Sequence, residues 1–199
     1  MDKIDNRTKE KIILSALTLF SKKGIGKTCV NEIAYQAGVT RVTVYRYFPE
    51  KRELIRATML RFEQVFEKGL EDLKQNPQAD WVTILDQIGK DLNALPQGDT
   101  FARFDELKRL YPDVYESIQE VRMTVLNGIF DHFFAQAERQ GLLRPGLNRS
   151  LVHAFFWELA INFFDNPRFK SVGLSDETTY RVITDLFLHG VFISQSTEN

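Results

Sequence analysis

The 199-residue sequence contains one cysteine, Cys29. A lone cysteine excludes an internal disulfide framework and any cysteine-rich zinc site. Long apolar runs are missing too. No stretch approaches the roughly 20 uncharged residues that a membrane helix requires, and residues Met1 to Arg7 carry no apolar segment of the kind a signal peptide needs. A cytoplasmic protein without membrane contact is the expectation. There are three histidines, His132, His153 and His189, and none has a His, Asp or Glu partner at metal-ligand spacing. Glycine-rich phosphate loops, a nucleophile elbow and a Cys–His pairing are all absent. These absences weigh against an enzyme and against a bound cofactor or metal. Alternating apolar and polar residues of the strand type are lacking as well, as are repeats and low-complexity tracts.

What is present is helical. Apolar residues make up 43% and charged residues 27% of the chain, enough to bury a core. The net charge of −1 conceals an imbalance: residues 1–56 carry +6 and the remaining 143 carry −7. A basic head on an acidic body suggests a polyanion-binding unit joined to a unit with another task, although a basic face is often only solvated.

Ile13, Ala16, Leu17 and Phe20 follow i, i+3, i+4, i+7 and predict a first helix over residues 6–23, closed by Gly24 and Gly26. Thr28 is the expected N-cap of a second, short helix with Val30, Ile33, Ala34 and Ala37 inward. Gly38 ends it. Thr40 caps a third, with Val39 and Val44 spaced as a hydrophobic staple, and Pro49 stops it near Phe48. A long fourth helix runs from about Glu50 to Lys74. Further helices are predicted at 79–95, 101–110, 112–141, 148–165 and 177–195, separated by Asn76-Pro77, Pro96-Gln97-Gly98, Pro112, Gly141 to Gly146, and Asn166 to Ser175.

Residues 28–48 thus place two short helices around a glycine turn, the spacing of a helix-turn-helix. With Val44 and Phe48 inward, Val42, Thr43 and Arg46 point out, and Arg41, Tyr45 and Tyr47 lie to the sides. Cations, hydrogen-bonding groups and a methyl-contacting side chain suit phosphates and base edges in a major groove. Packing of Tyr45 and Tyr47 against the first helix is the alternative for those two residues.

The run Ile33-Ala34, Ala37-Gly38-Val39-Thr40, Thr43-Val44-Tyr45-Arg46-Tyr47-Phe48 and Lys51-Arg52-Glu53-Leu54, with Ala16, Leu19, Phe20 and Gly24 to Thr28 before it, resembles the DNA-binding region of TetR-type transcriptional repressors. The resemblance covers about residues 8–56. It implies an all-α chain with a three-helix DNA-binding head at 1–52 and a larger helical bundle at 53–199 for ligand binding and dimerisation. It further implies a homodimeric repressor released from a palindromic DNA operator by a small-molecule effector. Thr40, Arg41, Val42, Thr43, Tyr45 and Arg46 then fall on the recognition helix, with Arg41 the candidate for a bidentate contact to guanine. Asn31 occupies a position that reaches bases in some relatives, and Tyr47 and Lys51 occupy phosphate-gripping positions. Cys29 stands where the family commonly has a hydroxyl residue, so Thr28 is the substitute phosphate contact.

Fourteen of the sixteen phenylalanines lie beyond residue 56. Aromatics at helical spacing are ordinary bundle filling, and collectively they also suit an apolar cavity. Candidate effector contacts are Phe62, Phe66, Arg103, Phe104, Asn127, Phe130, Glu158 and Asn162, with His132 beside them. The segments 148–165 and 177–195 lack a polar face and must be covered on more than one side. The expected cover is a partner subunit, through Phe155, Leu159, Ala160, Ile183, Phe187 and Val191; full burial within one subunit is the alternative.

Overall fold

The computed structural model describes residues 3–76, 81–96, 100–160, 171 and 176–191. Nine helices are found among them and no extended strand. They are α1 Lys3–Lys23, α2 Val30–Ala37, α3 Arg41–Tyr47, α4 Lys51–Gln75, α5 Trp81–Asn93, α6 Thr100–Leu110, α7 Pro112–Arg139, α8 Arg149–Ala160 and α9 Asp176–Val191. The all-α expectation holds, with most helix ends within three residues of their predicted places.

The head forms where the apolar spacing requires it. Ile12, Ala16 and Phe20 of α1 meet Ile33 and Ala34 of α2 and Val44 and Phe48 around α3 in one buried cluster. Gly38 ends α2 in the left-handed conformation at φ +67°, a region that disfavours a Cβ. Thr40 Oγ1 accepts the Thr43 N–H at 3.1 Å and starts α3. Val39 and Val44 pack on the same cluster as the expected staple. At α2 the cap differs from expectation. Cys29 holds the N-cap position, and its N–H donates to the Glu32 carboxylate at 2.9 Å. Thr28 lies one residue too early for the cap and is turned inward, where its hydroxyl donates to the Gly24 carbonyl at 2.6 Å.

The buried cluster of the head continues beyond residue 52. Leu54, Ile55 and Met59 of α4, Phe104 and Leu107 of α6, and Val114 and Ile118 of α7 belong to the same buried cluster as Phe20 and Ile33. Compactness accordingly divides the chain into residues 1–125 and 126–199. In the second unit, Phe130 and Phe134 of α7 stack at 5.4 Å and pack with Val152 of α8 and Val191 of α9. The Arg144 N–H donates to the Val191 carbonyl at 3.1 Å and fixes the chain before α8 on α9.

Candidate nucleic-acid interface

The outward face of α3 carries the expected set. Val42 is 78% exposed, and Arg41 and Arg46 are exposed on either side of it. Each arginine is held by a neighbouring ring: the Arg41 guanidinium lies 5.3 Å from the centre of Tyr45, and that of Arg46 lies 5.4 Å from Tyr47. Such contacts restrain long side chains while leaving their donors free to turn outward. Tyr45 and Tyr47 are themselves half-buried against the core cluster, so both rings serve packing. The Thr40 and Thr43 hydroxyls are hydrogen-bonded to each other at 2.9 Å. Asn31 is exposed on α2. On the same helix stands Tyr35, 90% exposed. Sequence reasoning had not singled it out, although its position outside the inward set Val30, Ile33, Ala34 and Ala37 was the available signal.

Two predicted phosphate contacts need revision. Thr28 is only 1% exposed and its hydroxyl is used internally, so it leaves the DNA-contacting set. Lys51 is half-buried, and its ammonium donates to the Ile25 carbonyl at 3.1 Å. Burial pushes its pKa below the usual lysine range, against the pull of Cys29, Glu106 and Tyr45. It therefore ties α4 to the loop between α1 and α2.

That loop has a second anchor. The Glu106 carboxylate of α6 accepts the Ile25 N–H at 2.8 Å and the Gly26 N–H at 3.0 Å. Arg103 pairs with Glu106 at 3.1 Å, so this predicted effector contact sits instead at the head loop. The approach is close: a Cβ on Gly24 would lie 2.7 Å from Arg103 Nη1 and 2.9 Å from Glu106 Oε2. Burial raises the pKa of Glu106, but the Gly26 and Ile25 N–H groups and Arg103 together outweigh it and hold the carboxyl below the usual range. A depressed carboxyl contributes stability that is complete above its unfolded value of 4.5 and is lost as pH falls through the lower folded value. The protection of the Ile25 and Gly26 amides against hydrogen exchange, relative to their intrinsic rates, is therefore expected to fall as pH drops below about 4.5 in the wild type, while Glu106→Gln loses protection at these two amides already at neutral pH. Unchanged protection in that variant would remove Glu106 as the anchor. Glu32 reinforces the neighbouring turn, its pKa lowered to about 2 by the Cys29 N–H and the Lys23 ammonium.

The other candidate residues scatter. Phe62 and Phe66 are half-buried on α4, and Phe62 meets Phe104 at 6.2 Å. Phe104 is buried in the core beneath the Arg122 guanidinium, 4.6 Å from its ring centre. Asn127 Oδ1 lies 2.9 Å from His153 Nε2, which accepts the Trp157 indole N–H at 2.8 Å. Phe130 packs on His153 at 4.6 Å. Glu158 is exposed on α8, and Asn162 lies outside the described residues. Phe62, Phe66, Arg103 and Phe104 thus belong to the first unit, and Asn127, Phe130 and Glu158 to the second. Missed altogether was a buried ion pair, Glu63 of α4 with Arg122 of α7 at 2.6 Å.

Of the dimer candidates, Phe155 is 54% exposed. Ile183 and Phe187 are half-buried, and the side chains of Leu159 and Ala160 lie outside the described set. Val191 is a correction: it is buried in its own unit against Phe130, Phe134 and Val152, because the turn before α8 closes over the end of α9. Leu151 on α8 and Val182 and Leu186 on α9 are exposed instead. These three side chains and Phe155 speak for a covering partner rather than full burial within one subunit.

The family model for bacterial regulatory proteins of the tetR family matches residues 12–58, the span of the helix-turn-helix just described. Residues 12–58 are thus a DNA-binding head of the tetR type. The regulator AcrR of Shigella flexneri is 45% identical over 47 residues, 24% of this chain and 22% of that protein. The fatty acid metabolism regulator protein of Bacillus subtilis (strain 168) is 28% identical over 144 residues, covering 71% of this chain and 73% of that one. A solved structure assigned to the TetR family from Mesorhizobium loti MAFF303099 covers 96% of this chain and 100% of its own at 20% identity, with a TM-score of 0.67. That likeness shows a shared fold over 96% of this chain. The first curated relatives are matched over only 17–33% of their lengths.

Proposed function

We propose that this TetR-family chain is a homodimeric, cytoplasmic repressor that binds a palindromic operator through residues 1–52 and is released by a small molecule held in residues 53–199. The observation that carries the reading is the α3 surface, where exposed Val42 lies between two ring-supported arginines on a helix capped by Thr40. Base reading falls to Arg41, Val42 and Thr43, with Asn31 in support. Backbone contact falls to Arg46 and Tyr47, and to the part of Lys51 not engaged with the loop. A single head reads half a site, so the dimer is integral to the function. The apolar surface formed by Leu151, Phe155, Val182 and Leu186 is the proposed subunit contact.

Release would reach the head by two routes: α4, which runs from Lys51 past Phe62 and Phe66, and α6, whose Glu106 grips the α1–α2 loop. Movement of either would change the attitude of the recognition helices, and ligand and DNA would be negatively coupled. The experiment is fluorescence anisotropy with DNA flanking the chain's own gene. Binding should exceed that to random DNA by at least 10³-fold. Arg41→Ala should lose ~1–3 kcal/mol on the specific site and relax preference at one base pair per half-site. Equal loss on specific and random DNA would take Arg41 out of base reading, and absence of any specific site would leave a small-molecule-binding dimer as the better description.

A further inference from the structure

The Glu63–Arg122 pair is geometrically one-sided. Arg122 Nε and Nη2 both donate to Glu63 Oε1, at 3.0 and 2.6 Å. The more usual fork geometry would give one donor to each carboxylate oxygen. Glu63 is 1% exposed, and its Oε2 has no hydrogen-bond partner among the described residues. A buried acceptor left in this state costs free energy comparable to a lost hydrogen bond, so native proteins rarely retain one without a use. One turn before Arg122 on α7, Gln119 repeats the pattern. Its amide N–H donates to the Tyr115 hydroxyl at 2.6 Å, while its buried Oε1 has no partner among the described residues. Positions 119 and 122 share a helix face. Two buried acceptors therefore lie on the elements that meet at this ion pair, beside the aromatic rings of Phe62 and Phe104.

We infer that Glu63 Oε2 is the recognition point for the effector, and that the effector is an uncharged, largely apolar molecule presenting an N–H or O–H donor. The charge follows from the pair itself. Glu63 and Arg122 already neutralise each other, so an ammonium or carboxylate brought beside them would be a net buried charge. A neutral donor satisfies the acceptor without that cost, and Phe62 and Phe104 accommodate its apolar body. This rests on the reading of the chain as an effector-responsive regulator.

The test uses the full-length dimer and four probes of similar ring shape: indole, its isostere benzofuran without a donor, cationic tryptamine and anionic indole-3-acetate. Calorimetric titration should give indole at least tenfold tighter binding than benzofuran, tryptamine or indole-3-acetate. Glu63→Gln, whose amide keeps its oxygen toward Arg122 and presents NH2 in place of Oε2, should lose the preference for indole over benzofuran. The wild-type ratio stands even where that variant does not fold. Equal binding of indole and benzofuran, tighter binding of either charged probe, or no binding of any probe overturns the inference. Operator anisotropy separates the two levels. A donor preference without any effect on DNA keeps the Glu63 site and ends the effector reading. Release of DNA by a ligand with no donor preference does the reverse.

Discussion

Replacing Leu186 by glutamate is expected to give a folded monomer whose affinity for a two-half-site operator falls by about 10²–10⁴-fold, the range by which linking two sites raises apparent affinity. Leu186 is 66% exposed on α9 and Leu151 is 70% exposed on α8, flanked by Phe155 and Val182. Large aliphatic and aromatic side chains this open to water on two helices of one unit form the kind of patch that marks a contact with another chain. An isologous interface places the same residue on both subunits, so one substitution introduces two charges into a desolvated contact. The choice of position 186 matters. Phe187, the residue first expected there, packs within its own unit against the Phe130 and Phe134 cluster. A charge at 187 would therefore unfold the subunit as well as separate it. Light scattering and thermal melting should report a monomer with a near-normal transition, and affinity for a duplex carrying one half-site should be unchanged. A wild-type protein that is already monomeric at micromolar concentration would sink the proposal.

The head was legible because local signals there agree. A glycine in the left-handed region, a threonine cap and a staple are each encoded within six residues, and the apolar spacing of α1 to α3 leaves one arrangement that buries Phe20, Ile33 and Val44 together. Most helix boundaries among the described residues followed for the same reason. What the sequence did not disclose depends on pairs far apart in the chain. Glu106 meets the loop at residues 25 and 26 across some eighty positions, and no local pattern announces it. Thr28 and Cys29 were exchanged because both can cap a helix, and only packing of the loop decides which one turns inward. The buried pair did leave a trace. Glu63 lies four residues after Met59 and seven before Leu70, and Arg122 lies four after Ile118 and three before Val125, so both charges interrupt the buried stripes of their helices. A charge on an apolar stripe asks for a partner on another helix, although one sequence cannot say which.

That pair also sets the largest stability effect expected in the first unit. Arg122→Met should cost about 3–5 kcal/mol, because it leaves the Glu63 carboxylate buried with neither its counter-ion nor the two hydrogen bonds to Oε1. The methionine retains contact with Phe104, so lost packing accounts for little of the effect. The double variant Glu63→Leu, Arg122→Met should recover most of the loss or exceed the wild type. Removing both charges abolishes the desolvation cost, and two flexible apolar side chains can fill the space between α4 and α7. Urea unfolding followed by circular dichroism measures both. The unpartnered Oε2 makes the recovery more favourable here than for an evenly paired bridge, since the wild type already carries an unsatisfied buried acceptor. Recovery of stability together with loss of the donor preference described above would show a charge retained at this position for ligand recognition at the expense of stability. A double variant as unstable as Arg122→Met alone would instead mean that the pair is held by packing constraints no apolar substitution can meet.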